Sequence, residues 1–227
     1  MPAPISVIIP TLNAAGEFPL CLASLMPGAE AGLIREVIVA DGGSDDETAS
    51  MADAAGARLI EADRGRARQL IAGCKAARGD WLLVLHADTA LSRDWTERAR
   101  DHIETYPGKA AWFTLAYRSD HAMAKHVAAR ANRRARWLGL PYGDQGLLLP
   151  RKLYDEVGGY DDIPLMEDVR LVQAIGKHRL RQLSAEARTS ATKYERDGWR
   201  KRSWHNAWLI TRYLMGASPQ RLAARYR

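Results

Sequence analysis

Asp80-Trp81-Leu82-Leu83-Val84-Leu85-His86-Ala87-Asp88-Thr89 is the stretch on which the reading of this chain turns. Its first half is a short, nearly unbroken apolar run, the pattern of a strand buried on both faces. Its second half stops that run with a histidine and an aspartate two residues apart. In open α/β sheets ligands sit beyond the carboxyl ends of the strands, so Asp88 is placed to meet a ligand or a metal. Taken alone, Asp88 reads better as the N-cap of a helix opening near Ser92.

Other strand ends upstream change that balance. Ile5-Ser6-Val7-Ile8-Ile9 is a β-branched run, ended by Pro10-Thr11-Leu12-Asn13, because proline cannot continue a central ladder. A helix is expected over about Glu17–Leu25. Glu36–Ala40 reads as a second strand ending in Asp41-Gly42-Gly43-Ser44, where the glycines permit a tight turn and close approach to a ligand. Ser44 and Glu47 have capping-box spacing for a helix over about Asp46–Ala55. Ala57–Glu61 is a weaker third strand, and a helix from Gly65 to about Ala77 leads back to the stretch quoted above. This β-α-β-α-β-α-β order predicts a doubly wound, mostly parallel sheet flanked by helices. Asp41 and Asp88 then share one sheet edge with Thr11 and Asn13, which favours a nucleotide site over two unrelated caps.

Downstream, helices are expected over Arg93–Tyr106, His121–Trp137 and Arg151–Val157, and a strand over Ala110–Tyr117. Gly139–Gly146 is a turn-rich loop. Glu167-Asp168 opens a helix reaching about Ile175. Adjacent residues diverge on a helix, so only one of this acidic pair can face a cleft fully. The helix at 121–137 carries five cations and no acid, a solvated basic face or an anion-facing one. From Arg188 onward there are ten Lys/Arg and two acids, with Trp204 and Trp208 on one helix face. That aromatic stripe is read as packing on the core or on a second subunit, with membrane-surface contact as the alternative.

The totals bound the class. The 227 residues are 47% hydrophobic and 26% charged, ordinary for a globular protein with one sizeable core. No run is long and apolar enough to span a bilayer, and the first residues lack the cationic start of a signal peptide. Cys21 and Cys74 read as small buried hydrophobes in a reducing compartment. The net charge of +6 points to an anionic partner. Nucleic acid is a poor fit without a recognised reading module. A dinucleotide dehydrogenase is disfavoured because no Gly-x-Gly-x-x-Gly follows the first strand.

Five landmarks occur in order: Pro10-Thr11-Leu12-Asn13, Asp41-Gly42-Gly43-Ser44-Asp45, His86-Ala87-Asp88, Gly143-Asp144-Gln145 and Glu167-Asp168. Together they resemble a family 2 glycosyltransferase of the GT-A fold. The Leu-His-Ala-Asp-Thr form of the central motif resembles a small bacterial subgroup described as arsenosugar-biosynthesis-type transferases. The resemblance implies a GT-A domain over 1–187, with a nucleotide-binding half, 1–90, and an acceptor and catalytic half, 91–187. Residues 188–227 would be a basic, Trp-rich helical extension packed on it. It implies inverting transfer from a nucleoside-diphosphate sugar to an unidentified acceptor hydroxyl.

The same resemblance implies residue roles. Pro10, Thr11, Asn13, Asp41, Gly43 and Ala87 would line the nucleotide pocket, with Arg68, ahead of Arg66, facing the nucleotide or diphosphate. Asp88, with His86 at the first acid of the family's DxD element, would hold Mn²⁺ or Mg²⁺. Asp144 and Gln145 would meet the donor sugar or acceptor. Asp168 would be the general base, supported by Glu167. The glutamate that often follows the first landmark is Ala14 here, with Glu17 three residues on. A non-catalytic nucleotide-sugar-binding relative is the alternative. The expected location is the cytoplasm or the inner face of the membrane, with a homodimer through the C-terminal helix as a further expectation.

Overall fold

The computed structural model describes residues 3–225. Three strand–helix units and a fourth parallel strand build its first half. Strand β1 (Ile5–Thr11) leads to helix α1 (Phe18–Glu30), β2 (Ile34–Asp41) to α2 (Thr48–Ala54), and β3 (Arg58–Glu61) to α3 (Arg66–Ala76), before β4 (Trp81–Val84). The second half adds β5 (Thr89–Leu91), α4 (Trp95–Thr105), β6 (Ala110–Arg118), α5 (Ala122–Leu138), β7 (Leu147–Pro150), α6 (Arg151–Glu156), α7 (Glu167–Ile175) and β8 (Leu180–Ser190). Helices α8 (Thr192–Asp197), α9 (Trp199–Leu214) and α10 (Pro219–Ala223) follow. The sheet order is β3-β2-β1-β4-β7-β6-β8-β5. Pairing is parallel from β3 to β4 and antiparallel where β7 joins β4 and β6. Strand β8 runs parallel to β6, and β5 pairs antiparallel with β8.

The central strands are buried on both faces, and the two-residue period sorts their side chains between two cores. Ile5, Val7 and Ile9 of β1, with Leu83 and Leu85, pack against Phe18, Cys21 and Leu25 of α1 and Trp95 of α4. Ile8, Leu82 and Val84 point the other way, against Leu70 and Cys74 of α3 and Val172 and Ile175 of α7. Each fully buried aliphatic side chain contributes about 1.5–3 kcal/mol over its exposed state. Cys21 and Cys74 are thus buried, free and on opposite sides of the sheet.

The structure departs from expectation at five places. First, β1 runs through Pro10 to Thr11, paired with Ala40 and Asp41. The ladder with β4 stops at Ile8–Val84, so the missing Pro10 N–H, which has the Ile8 orientation toward β4, costs no ladder bond there. Second, Ser44 and Glu47 form no capping box: the Ser44 hydroxyl is spent on Asp41, and Asp46 accepts the Thr48 N–H at 3.0 Å instead. Third, Asp88 caps no helix at Ser92, because Thr89–Leu91 is the edge strand β5 and α4 opens at Trp95. Fourth, β8 is an eleven-residue strand where none was expected. Its inward positions include Ala185, Ala187 and Thr189, too small to mark a hydrophobic alternation. Fifth, the tryptophan stripe of α9 does not pack on the core: Trp204 is 74% and Trp208 40% exposed, while Trp199 is buried.

Candidate active site

Two groups of polar residues gather at the carboxyl ends of β1, β2 and β4. The first is a closed loop network. Asp41 accepts hydrogen bonds from the Thr11 hydroxyl (2.8 Å), the Gly43 N–H (3.0 Å), and the Ser44 N–H (2.7 Å) and hydroxyl (2.5 Å). Burial works to raise the Asp41 pKa, but these donors outweigh it and hold the carboxyl below its ordinary value. Asn13 sits in left-handed backbone, φ 51°, and its side-chain carbonyl accepts the Asp45 N–H at 3.0 Å. From below, buried Gln69 donates to the carbonyls of Thr11 and Ala40. No sequence signal marked Gln69. Pro10 lies in the β1–β2 ladder beside Ala40, and the Ala87 side chain belongs to the core, so Ala87 can offer a ligand only its backbone.

The second group lines a cleft of about 170 Å³ that includes Arg66, His86, Asp88, Asp144, Asp168 and Lys193. These residues come from five separate segments. Asp168 accepts the Gly143 N–H at 2.7 Å on one oxygen and the Val169 N–H at 2.8 Å on the other. Its neighbour Glu167 turns inward, 1% exposed, and pairs with Arg66. Burial pushes the Glu167 carboxyl up, with the Arg66 charge opposing. Met166, just before this pair, holds φ 68°, a strained conformation for a residue with a Cβ. Asp88 accepts weak contacts from Thr89 and Thr189, and its carbonyl accepts from Arg118 at 3.0 Å. Arg118 is held in turn by Glu17, so the carboxylate three residues past Ala14 braces the Asp88 turn.

Burial lowers the His86 pKa to about 4, with the Arg66 charge adding to the effect and Asp88 and Asp168 opposing it. The imidazole is therefore neutral at pH 7. Asp144 is pushed up to about 6, first by burial, with Arg134 opposing and Asp168 and Asp88 adding. Its Oδ1 is sealed from solvent without a hydrogen-bond partner. Tyr142 lies under the Arg134 guanidinium, 3.2 Å from the ring centre, and its hydroxyl is likewise buried and unpartnered.

Two expected site residues lie elsewhere. Gln145 is fully buried beneath the 143–145 turn: its carbonyl accepts from the Tyr142 N–H and Arg134, and its amide donates to Asn132. It shapes the turn and does not reach the cleft. Arg68 pairs with Asp162 at 3.1 Å and is half-exposed, whereas Arg66 lines the cleft. The two lie about 200° apart on the first turn of α3, so of the pair Arg66 lines this cleft and Arg68 does not. Sequence reading also missed Tyr117, Tyr142, Tyr194 and Asn206, which wall the cleft from β6, the turn, α8 and α9. A second cavity, about 270 Å³, lies between α5 and α9 and shares Tyr117, Tyr142, Asp144 and Asn206 with the first.

Among the described residues no three His, Cys, Asp or Glu side chains cluster as a ready-made metal site. A hard divalent cation needs no such cage where one or two carboxylates and ligand phosphates complete its oxygen shell. Asp88 fits that arrangement, and neutral His86 is available as a nitrogen donor.

Residues 6–160 match the family model described as Glycosyl transferase family 2. A PGL/p-HBAD biosynthesis glycosyltransferase of Mycobacterium bovis (strain BCG / Pasteur 1173P2) is 40% identical over 99 residues, 40% of this chain and 38% of that protein. The chain thus spans well under half the length of that relative. S. aureus TarS, residues 1–349, superposes with a TM-score of 0.64 at 18% identity, covering 82% of this chain and 60% of that one. Glucosyl-3-phosphoglycerate synthase of Mycobacterium tuberculosis, in complex with Mn²⁺, UDP and glucosyl-3-phosphoglycerate, gives 0.58 at 20% identity, covering 81% and 70%. These likenesses bear out the expected GT-A architecture, with its sheet mixed in the second half.

Proposed function

The chain belongs to glycosyl transferase family 2, and on that premise we propose that it transfers a sugar from a nucleoside-diphosphate sugar to an acceptor hydroxyl with inversion. The observation that carries this reading is the convergence of Arg66, Asp88, Asp144 and Asp168 in one cleft beyond the sheet's strand ends. The loop network around Asp41, Thr11 and Asn13 is the candidate nucleotide side. Arg66 supplies positive charge for the diphosphate. Asp88 would hold a divalent cation, which stabilises charge on the departing nucleoside diphosphate when bound. The Mn²⁺ and UDP in glucosyl-3-phosphoglycerate synthase, and UDP-GlcNAc in TarS, make uridine donors with Mn²⁺ the first to test.

Asp168 is the candidate base. Two backbone N–H groups fix the plane of its carboxylate, while its remaining lone pairs stay open to the acceptor proton. As that proton moves to Asp168, the acceptor oxygen bonds to the anomeric carbon. The bond to the diphosphate oxygen breaks on the opposite face, leaving nucleoside diphosphate. The second cavity is the candidate acceptor side, since it is lined by Tyr142, Asp144 and Ser203, each of which has a buried, unpartnered polar atom. In this organisation residues 1–187 form the catalytic domain, and 188–227 wall its acceptor side through Tyr194, Ser203 and Asn206. The test is release of nucleoside diphosphate from a panel of nucleotide sugars with hydroxylated acceptors, read by mass spectrometry. Turnover of one donor supports the reading; binding without turnover of any donor favours a degenerate, binding-only relative.

A further inference from the structure

We propose that the outer face formed by α5 and α9 docks the protein on an anionic membrane surface. The helices run side by side. They start together, where His121 stacks on Trp199 at 5.4 Å, and their later turns share one core cluster through Ala135, Ile210 and Tyr213. Six of the large hydrophobic side chains left exposed fall on this pair of helices and the residue after them: Trp137, Leu138, Trp204, Trp208, Leu214 and Met215. Trp204, Trp208 and Met215 recur at intervals of four and seven, so they form one stripe on the side of α9 opposite buried Leu209 and Trp199. Trp137 and Leu138 close α5 and Leu214 closes α9, each exposed at its own helix end. An apolar surface of this kind, left open, marks an interaction site.

Charge selects the occupant. Helices α5 and α9 carry nine Lys/Arg and no acid, more than the whole chain's net charge of +6. The rest of the molecule is therefore net acidic, and its positive excess is concentrated here. Arg130, Arg133, Arg200, Lys201 and Arg212 are exposed, and none has an ion-pair partner among the described residues. A second copy docking by the same face would set these cations against one another. Nucleic acid offers phosphate but no hydrocarbon for Leu138, Leu214 and Met215. A bilayer with anionic headgroups satisfies both, with tryptophan at the interface and cations at the phosphates. The second cavity reaches this face at Arg130, so a docked bilayer would lie beside the acceptor side of the cleft.

The test is co-sedimentation of the full chain with vesicles of phosphatidylcholine alone, or mixed with phosphatidylglycerol. Binding to the mixed vesicles, absent with the neutral ones and weakened by salt, is expected. Trp204→Ser with Trp208→Ser should weaken it at least about tenfold, and Arg200→Gln with Lys201→Gln should flatten its salt dependence. Both variants change exposed residues, so their melting temperatures and nucleotide binding should match the parent. The inference is overturned by no binding to anionic vesicles at low salt, by equal binding to neutral vesicles, or by unchanged binding in both variants. A dimer in sedimentation velocity that the Trp204/Trp208 variant abolishes, or preference for nucleic acid over vesicles, also overturns it. None of these outcomes depends on whether sugar transfer is observed.

Discussion

The backbone N–H of Gly143 donates to Asp168 Oδ2 at 2.7 Å, joining two motifs 25 residues apart in the chain. A Cβ at position 143 would lie 2.5 Å from His86 Nε2 and 3.3 Å from that same oxygen. A side chain at 143 would stand where His86 and Asp168 already meet. Gly143→Ala should move His86 and Asp168 together, lowering kcat by at least about tenfold and stability by about 1–3 kcal/mol. Steady-state kinetics and thermal unfolding check both; an alanine variant of full activity would remove this contact from the account.

Asp168→Asn keeps the size of the side chain but cannot accept a proton. Transfer should fall by about a hundredfold to ten-thousandfold, while nucleoside-diphosphate affinity stays near the parent value. Loss of binding in the variant, or retained turnover, would take the base assignment away from Asp168.

Glu167 is held by Arg66, and removing the cation strands a buried carboxylate. Arg66→Ala should cost about 1–3 kcal/mol near neutral pH, discounted because Arg66 is partly exposed. Without the cation, the folded pKa of Glu167 rises further above its unfolded value. The native state then binds the proton more tightly, so the deficit shrinks as pH falls. Adding Glu167→Gln should restore stability at pH 7 without restoring diphosphate binding. Thermal melts over pH with nucleotide titrations separate the two effects.

Asp144 has its folded pKa raised from 3.8 to about 6 by burial. Between those values the native state holds a proton the unfolded chain has released, so stability falls as pH rises through this window. The span amounts to about 3 kcal/mol at most. Asp144→Asn should flatten the stability profile between pH 4 and 6 and raise the melting temperature above that window. A variant profile parallel to the parent's would contradict the assignment.

The first half of the fold was legible because β1, β2 and β4 are β-branched or leucine runs ended by polar turn residues, and β1, β2 and β3 are each followed by a helix. Periodicity marked Ile5–Ile9 and Trp81–Val84 without help from distant contacts. It failed at β8, whose inward positions are alanine and threonine, and at β5, three residues on a sheet edge. Asp88 was legible as a strand end, which is a local feature, whereas Asp144 and Asp168 were singled out by the resemblance to the family's ordered landmarks. Gln145 was misplaced because its partners Arg134 and Asn132 lie on α5, which sequence spacing does not bring near. Tyr117, Tyr194 and Asn206 reach the cleft only through tertiary packing of β6, α8 and α9.

The central claim is that the cleft binds a nucleoside-diphosphate sugar, and its most direct test is a thermal-shift titration with UDP, GDP, CDP and TDP, each with EDTA, Mg²⁺ or Mn²⁺. A ligand that binds only the folded chain raises the melting temperature by mass action. The account predicts stabilisation by one of these diphosphates, lost on Arg66→Ala and diminished by EDTA or by Asp88→Asn. No shift with any diphosphate and either metal would contradict it.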